Sequence, residues 1–190
     1  LIDDAARVSI DAYRAISFDA VESRLLPSGR PTRIASPHAQ NPDCFEFGNR
    51  KGEIVKAIVT DEKHRETLTL HANSPFKIAY RVHFHADVAH PVFGFTIRDE
   101  YSMEIAGTNS FFNALETGLY TDGESVDVTF VQSLPLRAGH YLLSLNCTGF
   151  EGNQMLAYHR IHDLFALEIV SERSNLGLVD PFSEINLSRA

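Results

Sequence analysis

The chain has few cysteines, and this scarcity argues against one class of protein. Cys44 and Cys147 are its two cysteines in 190 residues, and they lie far apart in the sequence. A small secreted scaffold held together by disulfides has a much higher cysteine density. We therefore expect reduced thiols in a cytoplasmic protein.

Positive charge is also scarce. The sequence has 17 lysines and arginines against 25 aspartates and glutamates, which gives a formal net charge of -8. Such a balance argues against the broad positive surface with which proteins bind nucleic acid or anionic membranes. We expect no nucleic-acid partner, although a local basic pocket is compatible with this charge.

Long hydrophobic runs are missing as well. No stretch approaches the roughly 20 apolar residues of a transmembrane helix, and no charged-then-apolar leader opens the chain. The first residue is Leu1 rather than methionine, and we therefore expect the chain to be a piece of a longer polypeptide. With 190 residues and 44% hydrophobic content, one domain with extensions is expected.

The first 45 residues differ in pattern from the rest. Apolar residues from Ile2 to Ile16 recur near the helical period and predict a short amphipathic helix. From Pro27 to Pro42 the composition has no period and predicts an irregular arm. We assign residues 1–45 to an extension, 46–172 to the main domain, and 173–190 to a tail that packs on it through Leu176, Val179 and Phe182.

After residue 45 the pattern takes the period of β-strands. From Phe76 to His85 the even positions are apolar and the odd ones mostly polar, as in a half-buried antiparallel strand. Six other segments give similar signals, with turn-forming residues between them: 54–60, 92–97, 103–106, 126–131, 141–147 and 164–170. Seven short strands without alternating long helices predict an all-β antiparallel sandwich.

Several short motifs follow one another in a recognisable order. They are Phe47-Gly48-Asn49, Glu53-Ile54, Pro91-Val92-Phe93-Gly94-Phe95-Thr96-Ile97-Arg98, Gly107-Thr108-Asn109, Leu134-Pro135-Leu136, Gly139-His140-Tyr141 and His162-Asp163. With these motifs, residues 45–170 resemble the C-terminal domain of Wzt-type ATP-binding proteins of O-antigen polysaccharide ABC exporters.

The resemblance implies an immunoglobulin-like sandwich that recognises the modified non-reducing terminus of an O-antigen polysaccharide and so permits its export. It implies a homodimer, with exchange of the C-terminal strand as one form of it. It also implies contact with the membrane transporter subunit through the full-length protein, and hence a cytoplasmic location peripheral to the inner membrane.

One nucleotide-binding motif is absent from the sequence. There is no Gly-x-x-x-x-Gly-Lys-Ser/Thr phosphate loop. If the resemblance holds, the ATPase domain lies upstream of Leu1, and this piece is not an enzyme and needs no cofactor.

Most of the motif residues are expected to be scaffold. Phe93, Phe95 and Ile97 alternate as core residues would, and Gly94 keeps the strand surface open or allows close backbone approach. Asn109 is as suited to capping a turn as to touching sugar.

The preferred sugar-binding face combines outward residues of three strands. If the strand at 92–97 pairs with the strand at 141–147 and the last strand flanks them, one face carries Arg98, His140, Ser144, Asn146, Tyr158, His159, Arg160 and His162. Tyr158 would stack on a sugar ring, Ser144 and Asn146 would bind hydroxyls, and Arg160 would supply charge. Each residue also has a structural alternative, such as covering the core. Removal of Arg98 or Arg160 is predicted to weaken glycan binding without unfolding the domain.

A second candidate face lies on the strand from Phe76 to His85. Its outward residues are Lys77, Arg81, His83 and His85. Such a row suits an anionic sugar, or it is a solvated face whose charges deter edge aggregation. The basic residues together favour a phosphate or an acidic sugar as the end group.

Two other functions compete with sugar recognition. The first is a metal-dependent β-barrel enzyme that uses His83 and His85. It is disfavoured, and no metal is expected, because Lys77 stands where a cupin-type pattern has glycine and Ala89 stands where a carboxylate belongs. The second is a purely structural dimerisation module, in which the last strand and tail are exchanged about a hinge at 149–153.

Overall fold

The computed structural model describes residues 33–152, 154–181 and 183–187. The helix predicted between Ile2 and Ile16 lies outside these residues. The described part is all-β, which confirms the predicted class. Its strands are β1 (Phe45–Phe47), β2 (Gly52–Thr60), β3 (Thr69–His71), β4 (Pro75–Phe84), β5 (Val88–Ala89), β6 (Val92–Asp99), β7 (Glu104–Asn109), β8 (Leu119–Tyr120), β9 (Ser125–Ser133), β10 (Gly139–Glu151) and β11 (Gln154–Val170). In this part of the chain, no helix is long and apolar enough to cross a membrane.

The larger sheet has the order β1-β11-β10-β6-β7 with antiparallel neighbours, and β3 adds to the end of β11 in parallel. The long strands β10 and β11 form its centre. Two register shifts interrupt their pairing, between Leu143 and Leu145 and between Cys147 and Thr148. Because side chains alternate between faces along a strand, each shift changes which residues of β11 share a face with those of β10.

The smaller sheet has the order β2-β4-β9, and β5 pairs with β8 beside the two main sheets. β4 is its central strand. Phe76, Ile78, Tyr80, Val82 and Phe84 are all buried in the core, as their alternation predicts. Burial of these side chains between two sheets is the main source of stability of a sandwich.

The core joins the two sheets through apolar side chains and one hydroxyl group. Phe93, Phe95 and Ile97 of β6 are buried in the same core as the side chains of β4, which confirms their predicted scaffold role. The Tyr80 hydroxyl lies 3.2 Å from the carbonyl oxygen of Gly94 and 3.0 Å from that of Asn146. Burial raises the Tyr80 pKa well above its ordinary value, so this hydroxyl remains a donor.

A buried polar cluster joins β1, β2 and β11. Nδ1 of His159 accepts a hydrogen bond from the Ile54 amide at 2.9 Å, and Nε2 donates to Oε2 of Glu46 at 3.1 Å. The Arg50 guanidinium pairs with Glu46 and, at 3.1 Å, with Glu53. Burial, assisted by Arg50, lowers the His159 pKa to about 4, so the imidazole is neutral at pH 7.

The C-terminal tail is held mainly by its backbone. The Arg137 amide donates to the Leu178 carbonyl at 2.9 Å, and the Asp180 amide donates to the Pro135 carbonyl at 2.8 Å. Leu176 is fully exposed and Val179 is 51% exposed. Contrary to the expectation from the sequence, neither side chain is buried in the core. Phe182 lies outside the described residues, and the division at residues 45 and 172 remains a prediction.

The buried histidine makes the stability of the domain depend on pH. Because the folded-state pKa of His159 is depressed below 6.5, the unfolded chain binds more protons, and stability falls as pH decreases from about 6.5 to about 4. Between pH 7 and pH 5 this group alone should remove about 2 kcal/mol. His159→Gln keeps a hydrogen-bonding side chain but cannot titrate, so urea unfolding at the two pH values should show a correspondingly smaller loss. An equal loss in the parent and the variant would contradict this assignment.

Candidate functional site

A cavity of about 290 Å³ opens on the outer face of the larger sheet, where β6, β7 and β10 lie side by side. The register pairs Gly94 with Asn109 on one side and with Asn146 on the other. Two residues further along β6, and on the same face of the sheet, Thr96 pairs with Gly107. The lining residues come from these strands and the turn after β7: Phe95, Thr96, Glu104, Ile105, Ala106, Gly107, Thr108, Asn109, Phe112 and Asn146.

Gly94 makes the floor of this cavity possible. A Cβ atom at Gly94 would lie 2.9 Å from Cβ of Asn109 and 2.9 Å from both polar atoms of the Asn146 amide. Real Cβ atoms do not approach other heavy atoms so closely. The glycine therefore allows two asparagines from its neighbouring strands to converge above it.

The two asparagines have different roles. Oδ1 of Asn109 accepts a hydrogen bond from the Phe112 amide at 2.8 Å, so its capping role is confirmed and it holds Phe112 at the rim. Phe112 is 54% exposed there. Within the described residues, by contrast, the Asn146 side-chain amide has no hydrogen-bond partner, and it lines the cavity. Its donors and its acceptor are available to a ligand.

Two further polar groups complete the lining. The Thr96 hydroxyl makes no hydrogen bond to the described residues, and the exposed Glu104 carboxylate stands at the rim. An amide, a hydroxyl and a carboxylate can exchange hydrogen bonds with several ligand hydroxyls, while an aromatic ring contacts C–H groups. This arrangement suits a polyhydroxylated ligand.

Arg98 and Ser144 lie on the predicted face but serve the fold. Nε of Arg98 donates to Oδ1 of Asp163 at 2.7 Å, and Nη2 donates to the other carboxylate oxygen. Oγ of Ser144 accepts from the Asp163 amide at 2.9 Å. Asp163 has a left-handed backbone conformation with φ of 53°. Both predicted residues therefore fix the irregular part of β11, and loss of Arg98 would leave a buried carboxylate without this cation.

Arg160 and His162 lie on the same face, beneath its surface. Arg160 pairs with Asn146 across the strands and is 4% exposed. The His162 ring stacks on Phe45 with centroids 4.6 Å apart, and on Phe47. Burial, together with Arg160 and Arg98, lowers the His162 pKa to about 3, so this imidazole is neutral at pH 7.

The remaining residues of the predicted face lie elsewhere. Tyr158 and His159 are buried in the interior. His140 is exposed at the start of β10, where it pairs with Glu168 and lies six residues, or about 20 Å along the strand, from Asn146. The structure thus brings together Arg98, Ser144, Asn146, Arg160 and His162 but not His140, Tyr158 and His159. Their roles in sugar binding remain predictions without support from this geometry.

The outward row of β4 is occupied by contacts with neighbouring strands. Arg81 makes a bidentate pair with Asp127, with distances of 2.8 and 2.7 Å. His83 contacts Ser125 and His85 contacts Glu53, each at 2.9 Å. Across residues 33–152, 154–181 and 183–187, no group of three or more His, Cys, Asp or Glu side chains is placed to hold a metal ion.

Sequence reasoning missed Thr96, Glu104 and Phe112 as site residues. The sequence signal nearest to the site is Gly94, for which the sequence predicts an open strand surface or close backbone approach; in the structure the close atoms belong to the side chains of Asn109 and Asn146. The pairing of β7 beside β6 brings in Glu104 and Phe112, and this pairing is a property of the folded sheet.

Filling the space at Gly94 should disturb the floor of the cavity. Gly94→Ala is expected to lower the free energy of unfolding by about 1–3 kcal/mol, because Cβ of Asn109 cannot move without the strand. Urea denaturation measures this change. Gly139→Ala is the matched control, since its Cβ would lie 3.7 Å from the Tyr141 ring, an ordinary contact. Equal stabilities of the two variants would contradict the close approach.

Comparison with solved structures identifies the fold. A crystal structure of the C-terminal domain of Wzt superposes with a TM-score of 0.73 at 20% identity, over 86% of this chain and 97% of that chain. A solution structure of a CARDB domain from Pyrococcus furiosus gives a TM-score of 0.33 at 13% identity, over 60% of this chain and 94% of that chain, which is too low to support an argument. No curated protein gives a significant sequence match.

Comparison with sequence families gives the same relationship. The family model for the Wzt C-terminal domain matches residues 43–181. These residues contain all eleven described strands and the cavity between β6, β7 and β10. The chain belongs to the Wzt C-terminal domain family.

Proposed function

We propose that the cavity on the outer face of the larger sheet binds the non-reducing end of an O-antigen polysaccharide. The observation that carries the proposal is the Asn146 amide, which faces the cavity and has no hydrogen-bond partner among the described residues, beside the Thr96 hydroxyl and the exposed Phe112 ring. The chain's membership of the Wzt C-terminal domain family supports a polysaccharide as the ligand.

The size of the cavity favours the end of a glycan chain. A volume of about 290 Å³ lies at the lower limit of ligand cavities, so it accommodates a terminal sugar rather than a long segment. Affinity should be modest, because sugar hydroxyls exchange hydrogen bonds with water for hydrogen bonds with protein. Modest affinity suits a domain that must release the polysaccharide during export.

The domain acts, in this proposal, without catalysing a reaction. It recognises the finished glycan while an ATPase domain and a transporter subunit, both outside this chain, perform the export. The proposed location is therefore the cytoplasmic side of the inner membrane, peripheral to the transporter. Family membership supports this arrangement.

Substitution of the two ligand-facing polar residues tests the site. Asn146→Ala and Thr96→Val should each weaken binding of the O-antigen polysaccharide from the source organism, Asn146→Ala by about tenfold, because they remove hydrogen bonds that the protein does not make to itself. Isothermal titration calorimetry measures the change. His83→Ala on the smaller sheet is the control and should bind normally. If Asn146→Ala and Thr96→Val bind the polysaccharide normally while His83→Ala binds it more weakly, the site lies on β4 instead.

We further propose that a second copy of the chain covers the open edge at β9. No described strand pairs with the outer edge of β9, and Val126, Val128 and Phe130 are only partly buried although they pack on the core. A cavity of about 430 Å³ opens beside them. In the tail, Ile185 is 84% exposed and Leu187 is 95% exposed.

The end of the tail has the alternating residue pattern of a β-strand, but residues 183–187 are not part of a sheet. Apolar Ile185 and Leu187 alternate with polar residues, and an unpaired edge such as β9 accepts an added strand through its free backbone groups. β11, by contrast, pairs with β10 of the same chain over most of its length. The tail is therefore the segment that we propose is exchanged in a homodimer.

Sedimentation velocity tests the dimer. The chain should sediment as a dimer at micromolar concentration, and the double substitution Ile185→Asp with Leu187→Asp should convert it to a monomer, because charge cannot pack against the apolar edge. Glu184→Ala, on the opposite face of the tail, is the matched control and should remain dimeric. A parent chain that stays monomeric at all concentrations would contradict the proposal.

A further inference from the structure

We infer that the glycan end group accepted by this cavity is electrically neutral. The inference rests on the proposed function and adds to it the chemical class of the ligand. It reverses the expectation, drawn from the number of basic residues in the sequence, of a phosphate or an acidic sugar.

The lining carries no positive charge. Among the described residues around the cavity there is no lysine, arginine or histidine, and Glu104 is the one charged group. Proteins that bind phosphate or carboxylate groups present arginine forks, lysines or helix N-termini to them. The described part of this site presents none of these.

The basic side chains near the cavity are already paired with other groups of the protein or held neutral. The Arg98 guanidinium is bound bidentately by Asp163. His162 is held neutral by burial and by the adjacent guanidinium groups. Farther away, Arg81 on the smaller sheet is bound by Asp127. A basic residue whose charge is already paired offers little attraction to a second anion.

Arg160 is a further positively charged side chain on this face of the sheet. It pairs with Asn146 across the sheet, so its backbone lies beside the cavity. Only 4% of its surface is exposed, however, and it does not line the cavity. Direct hydrogen bonding from the guanidinium to a ligand in this cavity would require the arginine to leave its buried position.

The polar groups that do line the cavity suit hydroxyls. The Glu104 carboxylate can only accept hydrogen bonds, and a sugar hydroxyl can donate to it. The Asn146 amide and the Thr96 hydroxyl both donate and accept, so they match neighbouring hydroxyls on a pyranose ring. An ionised phosphate or carboxylate is itself an acceptor, and it would be repelled by Glu104.

The binding of neutral and anionic sugars should therefore differ at this site. The probes are the methyl glycosides of mannose, rhamnose and N-acetylglucosamine, compared with methyl glucuronide and mannose 6-phosphate. In two-dimensional ¹H–¹⁵N NMR titrations, neutral probes should shift the amide signals of Thr96 and Asn146. The anionic probes should bind at least about fivefold more weakly at low ionic strength, the effect expected of one nearby like charge.

Variants of Glu104 identify the origin of the selectivity. Glu104→Gln should reduce the difference between the anionic and neutral probes, and Glu104→Lys should reverse it. Glu100→Gln, which changes a carboxylate in the same hairpin outside the lining, is the matched control and should leave the difference unchanged.

The outcomes separate this inference from the function on which it rests. Anionic probes that bind at Asn146 as tightly as neutral ones, or more tightly, overturn the inference and leave the carbohydrate site standing. If no probe of either class, and no native polysaccharide, shifts the signals of Thr96 and Asn146, the proposed function fails and the inference fails with it.

Discussion

The hydrogen bonds of one tyrosine hydroxyl tie the core of this sandwich to its outer surface. Tyr80 reaches from the smaller sheet to the carbonyl oxygens of Gly94 and Asn146, which are paired residues on adjacent strands of the larger sheet. The opposite side of the same pair is the floor of the cavity. A group buried in the core thus fixes the backbone from which the Asn146 amide faces the cavity, so the floor of the cavity is held as rigidly as the core.

The buried charged residues of this domain stabilise the irregular parts of its strands. Asp163, in a left-handed conformation, is held by Arg98 and by Ser144. Glu46 and Arg50 form a comparable cluster with His159 where β1 meets β11. A buried charge is tolerated only when it is paired, and removing one partner is strongly destabilising. For this reason Arg50 and Arg98, whose charges are paired in this way, are poor candidates for ligand contacts.

The strands and the core could be predicted from the sequence because they depend on local periodicity. The alternation from Phe76 to His85 specifies one buried face, and Phe93, Phe95 and Ile97 follow the same rule. The site depends on register, which local sequence does not specify. His159 pairs with Cys147 and faces the core by simple alternation with Arg160, whereas the register shift between Cys147 and Thr148 falls at Tyr158, which is also buried.

The location of the cavity on the larger sheet follows from what fills the two outer faces. On the smaller sheet, cross-strand pairs such as Arg81 with Asp127 occupy the surface, and their side chains satisfy one another. On the larger sheet, Gly94 lets two asparagines converge above it, and the edge strand β7 ends in the turn that presents Phe112. The floor of the cavity is therefore fixed by the core, whereas Glu104 and Phe112 at the rim contribute little to it. If the cavity binds a glycan end as proposed, substitutions at these rim positions can change its specificity while leaving the floor, and the core beneath it, in place.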